Sequence, residues 1–294
     1  MENSVTKTFK EKWEHHQLLA FEETLREGSE IFTWILERNG FANANELKKY
    51  LRDKERLLDA GCGNGRVTAL LRRYSPKTTA IVGVDLVSSD VAKENLETHA
   101  LLYNISFLNR NLLEHLEDLG KFDFIYCQEV LHHLPDPFLA FQNLCKLLSS
   151  GGEIAIYVYK KKAPIREFVD DYIRDKISCL PYDEAFQVCK QITDLGRVLS
   201  QTGISIHAPQ IEVLEIEGGV YDLQRFLYHF FMKCFWNPNL TFLENAAINF
   251  DWYHPQIASR HTIEEVRGWF KKEGLTLLHE HVDFYGITVR GRSQ

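Results

Sequence analysis

The stretch from Glu55 to Leu71, ERLLDAGCGNGRVTALL, constrains the fold more than any other part of the chain. A short apolar run, Leu57-Leu58, ends in an acid, Asp59, and opens into Gly61-Cys62-Gly63-Asn64-Gly65. Val67, Leu70 and Leu71 follow at helical spacing. The pattern predicts a strand, a tight glycine turn and a helix. Glycine accepts positive φ and lets a ligand approach the backbone where a Cβ would collide. The helix N-terminus adds N–H groups facing the same place.

A glycine turn alone is ambiguous. The dinucleotide fingerprint is G-x-G-x-x-G with an acid about 20 residues further on. Here the spacing is G-x-G-x-G, with Asp59 two residues ahead, and a second acid ends the buried run Ile81-Val82-Gly83-Val84-Asp85. A carboxylate at such a strand end is suited to the two hydroxyls of a ribose. Both readings predict an adenosine ligand on a doubly wound sheet. They differ at the far end of the ligand: Asp59 would repel a pyrophosphate and suits an ammonium group.

Four pieces of the chain, in order, carry a family resemblance. LLDAGCGNGRVTALL resembles the first motif of class I S-adenosylmethionine-dependent methyltransferases, and IVGVDL resembles their second. FDFIYCQEVLHHLPDP and LLSSGGEIAIYVY resemble the segments around their fourth and fifth strands, so the likeness covers residues 55–160. The resemblance implies an α/β fold, a doubly wound Rossmann-like seven-stranded sheet. It also implies S-adenosylmethionine as cofactor and S-adenosylhomocysteine as product. By the family's pattern Gly61, Cys62, Gly63 and Gly65 surround the cofactor, and Asp59 orients its amino-acid end directly or through water. Asp85 holds the ribose, Leu86 beside it also belongs to the cofactor site, and Cys127 and Gln128 lie near the sulfonium.

Composition narrows the partners. A net charge of −7 argues against broad binding to a phosphate backbone. The six cysteines form no C-x-x-C pair, and several lie in apolar runs, where a free thiol behaves as a small hydrophobe. With no signal peptide and no long apolar span, the chain reads as cytoplasmic and unattached to a membrane.

Residues 1–50 read as an N-terminal helical cover broken near Asn39-Gly40, with Phe9 and Trp13 on one face. Trp13, His15 and His16 are candidates to face the site, against the alternative of a core tryptophan and solvated histidines. After Asp85, Ser88 or Ser89 is placed to cap a helix running to about His99. Beyond the strand Ile105–Leu108 the resembled family has an acid that accepts from the adenine amino group. This chain has Asn111 there, next to Leu112, and an asparagine carbonyl accepts the same bond. Asn109 is the alternative.

Gln128 and Glu129 stand at the end of the fourth strand, where ligands meet an open α/β sheet. Glu129, His132 and His133 have the spacing E-x-x-H-H, and some methyltransferases with a related E-x-x-E-H segment bind a divalent metal. A histidine in the second position would favour a softer metal than magnesium, but L-H-H-L-P-D-P resembles segments of metal-free members of the family, so the expectation is no metal, with histidines that line the acceptor or act as a general base. Phe138 to Leu148 reads as a helix stopped by Ser149-Ser150-Gly151-Gly152, followed by a strand from Glu153 to Tyr159.

Residues 51–160 are thus expected to form the cofactor-binding core. Residues 161–256 read as a mostly helical insert with a turn-rich break near Gly203 and Gly218-Gly219, too long for a plain connection. Its expected role is a lid or substrate subdomain. Residues 257–294 return to the sheet through a helix with a capping box at Thr262-Ile263-Glu264-Glu265 and two strands. Arg290 and Arg292 are expected in solvent. The segment Asn249–Pro255 with Ser259–Thr262 resembles an F-D-W-x-x-P…H-T-x-E-E-V-x-x-W-F pattern in a bacterial branch of the family. Asp251, Tyr253, His254, Arg260 and His261 are therefore acceptor-site candidates, and His132, His133, His254 and His261 the catalytic ones. The alternative is a loop anchored by Trp252.

The expected reaction is direct in-line transfer of a methyl group to a small-molecule oxygen or nitrogen acceptor. An RNA or protein methyltransferase, or a cofactor-binding protein without transfer activity, are the alternatives. Nucleic acid is disfavoured by the acidity, and the chain is expected to be a monomer or homodimer.

Overall fold

The computed structural model describes residues 4–294, with side chains from Thr6 onward. Four helices precede the first strand: α1 (Ser4–His15), α2 (Phe21–Leu25), α3 (Glu30–Arg38) and α4 (Ala44–Leu51). Strands and helices then alternate through β1 (Arg56–Ala60), α5 (Arg66–Tyr74), β2 (Ala80–Asp85), α6 (Ser89–Thr98) and β3 (Ile105–Asn109). Next come β4 (Phe122–Gln128), α7 (Pro137–Cys145) and β5 (Leu148–Tyr159). The insert holds α8 (Pro164–Ile177), α9 (Tyr182–Gln201), β6 (Ser205–Ala208), β7 (Gly219–Asp222), α10 (Leu223–Phe230) and α11 (Phe242–Tyr253). The chain finishes with α12 (Ile263–Lys272), β8 (Thr276–Val282) and β9 (Gly286–Arg292). Among the described residues no helix is long and apolar enough to cross a membrane.

Two compact units result. One holds residues 13–160 and 259–294; the other holds residues 161–258 with α1 up to Lys12.

The larger unit is built on a seven-stranded sheet in the order β3-β2-β1-β4-β5-β9-β8. The first five strands of that order are parallel; β9 runs antiparallel to β5, and β8 antiparallel to β9, so β9 alone is reversed. This is the expected doubly wound α/β architecture. Alternation along β1 divides the core: Leu57 packs with Phe21, Phe32, Leu51, Leu70 and Phe124 on one face. Leu58 packs with Val82, Ile125, Phe141, Val266 and Phe270 on the other. Because both faces are covered, the central strands are apolar throughout. The order reverses between β1 and β4, and the crevice at such a reversal is where open α/β sheets bind ligands.

Local chemistry sets several boundaries. Asn39 and Gly40 end α3, with Gly40 at φ 77°. The capping box at α12 is present, with Thr262 Oγ1 accepting from Glu265 N and Glu265 Oε2 from Thr262 N. Other expectations are corrected. The Ser149–Gly152 run does not cap a helix: α7 ends at Cys145 and β5 already begins at Leu148. Pairing jumps from Phe122↔Leu148 to Phe124↔Glu153, so these small residues form a bulge in the ladder. The Ser88 hydroxyl caps no helix and donates to the Gly63 carbonyl at 2.8 Å. Arg292 is exposed as expected, whereas Arg290 is half-buried. Arg290 lies in β9 over the Phe41 and Tyr50 rings, and Arg292 donates to the buried carboxylate of Glu153 at 2.7 Å.

The smaller unit is helical apart from the antiparallel hairpin β6–β7, which occupies the break expected at Gly203 to Gly219. At its centre Asp170, fully buried, accepts from Arg166 Nε (3.1 Å), Trp252 Nε1 (2.9 Å), Tyr253 Oη (2.7 Å) and Lys233 N (2.8 Å). A buried carboxylate is tolerable only when so many donors replace its water.

Candidate active site

The glycine turn leaves β1 as the sequence pattern predicts. Gly61 N and Cys62 N both donate to the Val84 carbonyl (2.7 and 2.9 Å), lashing the turn to β2. Gly61 and Gly63 have φ of 79° and 52°, a region costly to a residue with a Cβ. A Cβ at Gly61 would run into the Val130 isopropyl group, and one at Gly63 would stand 2.7 Å from the Trp13 indole. Trp13 thus lies on the turn, while His15 is exposed at the end of α1 and His16 follows it, half-buried. Asn64 Nδ2 donates to the carbonyls of Gln17 and Leu19 (3.0 Å each), and Asn95 Nδ2 donates to Gln17 at 2.9 Å. Neither asparagine was marked by the sequence, because their partners are backbone carbonyls some 30 to 80 residues away.

Asp85 ends β2 half-buried, its carboxylate aimed by three backbone donors. Oδ2 accepts from Gly63 N at 3.0 Å; Oδ1 accepts from Val87 N and Ser88 N at 2.9 and 3.1 Å. Leu86 beside it is exposed. On β3, Asn109 pairs in register with Asp85, and its Oδ1 accepts from the Ser89 hydroxyl at 2.6 Å. Asn111 closes its own turn, with Oδ1 accepting from Leu113 N and Nδ2 donating to Glu114. Leu112 is buried and its carbonyl accepts from Asn143.

Asp59 is turned inward. It is 1% exposed, and its Oδ2 accepts from the Thr68 hydroxyl at 2.5 Å. Burial raises its pKa to about 7, opposed by the Thr68 bond and the Arg66 charge. The carboxylate expected beside the cofactor's ammonium therefore lies beneath the turn with Thr68. Cys62 and Cys127 are buried thiols whose pKa values burial pushes up. Gln128 is half-buried at the end of β4, its Oε1 accepting from Tyr126 Oη at 2.8 Å. Asn39 Nδ2 donates to that same phenol oxygen at 3.0 Å.

Glu129, the next residue, has φ 60° and an ion pair to Arg66 at 2.9 Å. His132 and His133 follow on a 3-10 turn and are both buried. The His132 ring stacks on Tyr159 (centroids 3.5 Å apart) and lies 4.3 Å from His133, so Glu129 and the histidines do not share one helical face. Among the described residues no three His, Cys, Asp or Glu side chains are grouped to hold a metal ion. His261 joins this edge: its N–H donates to the Tyr159 carbonyl, and its Nε2 is 2.9 Å from Ser259 Oγ. Ser259 in turn donates through its backbone N–H to the His132 carbonyl, and Arg260 is half-buried between them in sequence.

The remaining candidates lie in the smaller unit. Asp251 pairs with Lys12 at 2.6 Å, and the Tyr253 hydroxyl is spent on Asp170 and the Lys233 carbonyl. His254 is buried, stacked on Phe250 with centroids 4.4 Å apart, with Nε2 against the Leu180 carbonyl. Burial lowers its pKa, so it stays neutral as a packing group would. Trp252 anchors this segment through Asp170, but up to Tyr253 the segment is the end of α11 and not the loop of the alternative reading.

The carboxyl ends of β3, β2, β1, β4 and β5 thus present, in spatial order, two asparagines, Asp85, the glycine turn, Gln128 and the tyrosine–histidine edge. Three strand gaps from β3 to β4 span roughly 14 Å at about 4.8 Å each, room for a nucleoside carrying an amino-acid chain. A partly exposed, aimed carboxylate flanked by amides fits the ribose and base of that ligand. A family model described as a methyltransferase domain matches residues 51–206, more than half of the chain. The chain belongs to the class I S-adenosylmethionine-dependent methyltransferases. The chain is 34% identical over 100 residues to a ubiquinone biosynthesis O-methyltransferase of Coxiella burnetii, covering 33% of this chain and 41% of that protein. An uncharacterized protein of Synechococcus is 35% identical over 118 residues, 39% of this chain and 28% of its own length. The match therefore spans less than half of these curated relatives. PKMT2 from Rickettsia typhi superposes with a TM-score of 0.54 at 16% identity, over 85% of this chain and 52% of that one, a likeness of fold.

Proposed function

We propose that this methyltransferase transfers a methyl group to an oxygen or nitrogen of a small-molecule acceptor, with S-adenosylhomocysteine as the second product. The observation that carries the reading is Asp85, fixed by three backbone donors at the end of β2 beside the glycine turn. The names of the O-methyltransferase relatives and the chain's net charge of −7 favour a small molecule over a nucleic acid.

When bound, S-adenosylmethionine supplies a methyl group on positively charged sulfur, already activated toward a nucleophile. The chain's own task is then alignment and exclusion of water. Asp85 would hold the ribose hydroxyls, and Asn109, Asn111 and Leu112 the adenine edge. Cys62 with the three glycines of the turn lets the backbone approach the ligand. Gln128, its amide fixed by Tyr126, borders the reacting centre together with Cys127. Tyr157, Tyr159, His132 and His133 form a dry aromatic edge beside it. An imidazole of His132, His133 or His261 takes the proton of a hydroxyl or amine acceptor.

Calorimetry with S-adenosylhomocysteine tests the reading. Micromolar binding to the wild type is expected, weakened at least tenfold, about 1.4 kcal/mol, in Asp85→Ala. Equal affinity in that variant would remove the ribose assignment; no binding to the wild type would remove the reading.

A further inference from the structure

The crevice where the strand order reverses contains an ion pair that the reaction as described leaves unused. Arg66 is the first residue of α5, directly after the glycine turn of β1. Glu129 is the first residue after β4, the strand paired with β1 on this side. Arg66 Nη2 meets Glu129 Oε2 at 2.9 Å, and Nη1 donates to Thr24 Oγ1 at 3.1 Å. The pair closes across the mouth of the turn. Both groups reach solvent, with side-chain exposures of 17% and 41%.

Two further observations bear on its purpose. Glu129 holds φ 60°, a left-handed conformation in which a glutamate is strained. Such strain persists where surrounding structure enforces it, and it clusters at ligand sites. Here Val130, packed over Gly61, holds the loop, and the left-handed residue turns the carboxylate toward α5. Asp59, the other carboxylate near the turn, is buried and engaged by Thr68. With Asp85 assigned to the ribose in the reading above, Glu129 is the other partly exposed acid at this crevice. A partly exposed ion pair adds little to stability, so a strained backbone is a poor exchange for that alone.

We propose that the Arg66–Glu129 pair recognises the zwitterionic amino-acid end of the cofactor, Glu129 accepting from the α-ammonium and Arg66 donating to the α-carboxylate. This rests on the cofactor reading above and deepens it. A zwitterion suits the pair because each protein charge exchanges one opposite charge for another, and charge-assisted bonds of this kind are the strong ones.

The test compares S-adenosylhomocysteine with 5′-methylthioadenosine, the same nucleoside thioether without the amino-acid end. Affinities are measured by calorimetry for the full-length wild type, Glu129→Gln, Arg66→Gln and Glu129→Gly. The wild type is expected to prefer S-adenosylhomocysteine at least tenfold. Each variant is expected to lose about tenfold or more of that affinity while methylthioadenosine binding stays within about twofold. Glu129→Gly is expected to raise the melting temperature while losing the preference, since glycine takes φ 60° without strain. A structural brace gives the opposite signature: both ligands weaken together, or neither does, and the melting temperature falls. Either result overturns the proposal. Should one variant fail to fold, the others carry the same comparison. A wild type that binds neither ligand refutes the cofactor reading itself, and this proposal with it.

Discussion

Asp59 offers a pH-dependent stability that Asp59→Asn should abolish. Burial lifts its pKa from the ordinary 3.8 to about 7. Between these values the native state keeps a proton that the unfolded carboxyl has released. Stability contributed by this group is therefore highest at low pH, falls as pH rises from about 4 to about 7, and is flat above. At 1.36 kcal/mol per unit the full cost is about 4 kcal/mol, of which about 2–3 kcal/mol accumulates between pH 5 and pH 8. Asparagine keeps an acceptor for the Thr68 hydroxyl and does not titrate. Denaturant unfolding of wild type and variant at pH 5, 6, 7 and 8 reads the difference. The variant is expected to gain stability over the wild type by about 2–3 kcal/mol across that range, with the change levelling off by about pH 8. Parallel stability curves for the two proteins would refute the argument that Asp59 is desolvated beneath the turn.

Thr68→Val removes the hydroxyl that lowers the Asp59 pKa. It should cost about 1–3 kcal/mol and move the pH-dependent window upward, measured by the same unfolding series. Asp170→Ala leaves Arg166 buried without its carboxylate and should destabilise the helical unit by about 3–5 kcal/mol, read from denaturant unfolding followed by tryptophan fluorescence. An effect under 1 kcal/mol there would mean that water takes over the guanidinium. Asp85→Ala is expected to weaken cofactor binding without loss of fold, because its carboxylate braces only the turn and the start of α6.

Much of the architecture was legible because its signals are local. Leu57-Leu58 followed by Gly61, Gly63 and Gly65 dictates a strand, a turn with positive φ, and a helix, whatever surrounds them. Asp85 at the end of a buried apolar run, and Thr262 with Glu265 at a helix start, depend on chemistry within a few residues. Residues 161–256 read as mostly helical, and they hold α8 to α11; the turn-rich break near Gly203 and Gly218-Gly219 holds the hairpin β6–β7, whose pairing the sequence did not reveal.

What the sequence determined by itself is therefore the sheet, the glycine turn and the carboxylate that ends β2, all features of short range. Tertiary structure decided where charges end up. Asp59 stands two residues before the turn, yet its burial and bond to Thr68 come from the packing of β1 against α5. Arg66 and Glu129 are 63 residues apart and meet only because β1 and β4 are neighbours at the strand reversal. Tyr253 and His254 look in sequence like ligand-facing groups, but the packing of α11 against α8 and α9 spends one on Asp170 and the other on Leu180. Burial and ion pairing depend on which surfaces close over a side chain, and no local pattern of residues encodes that.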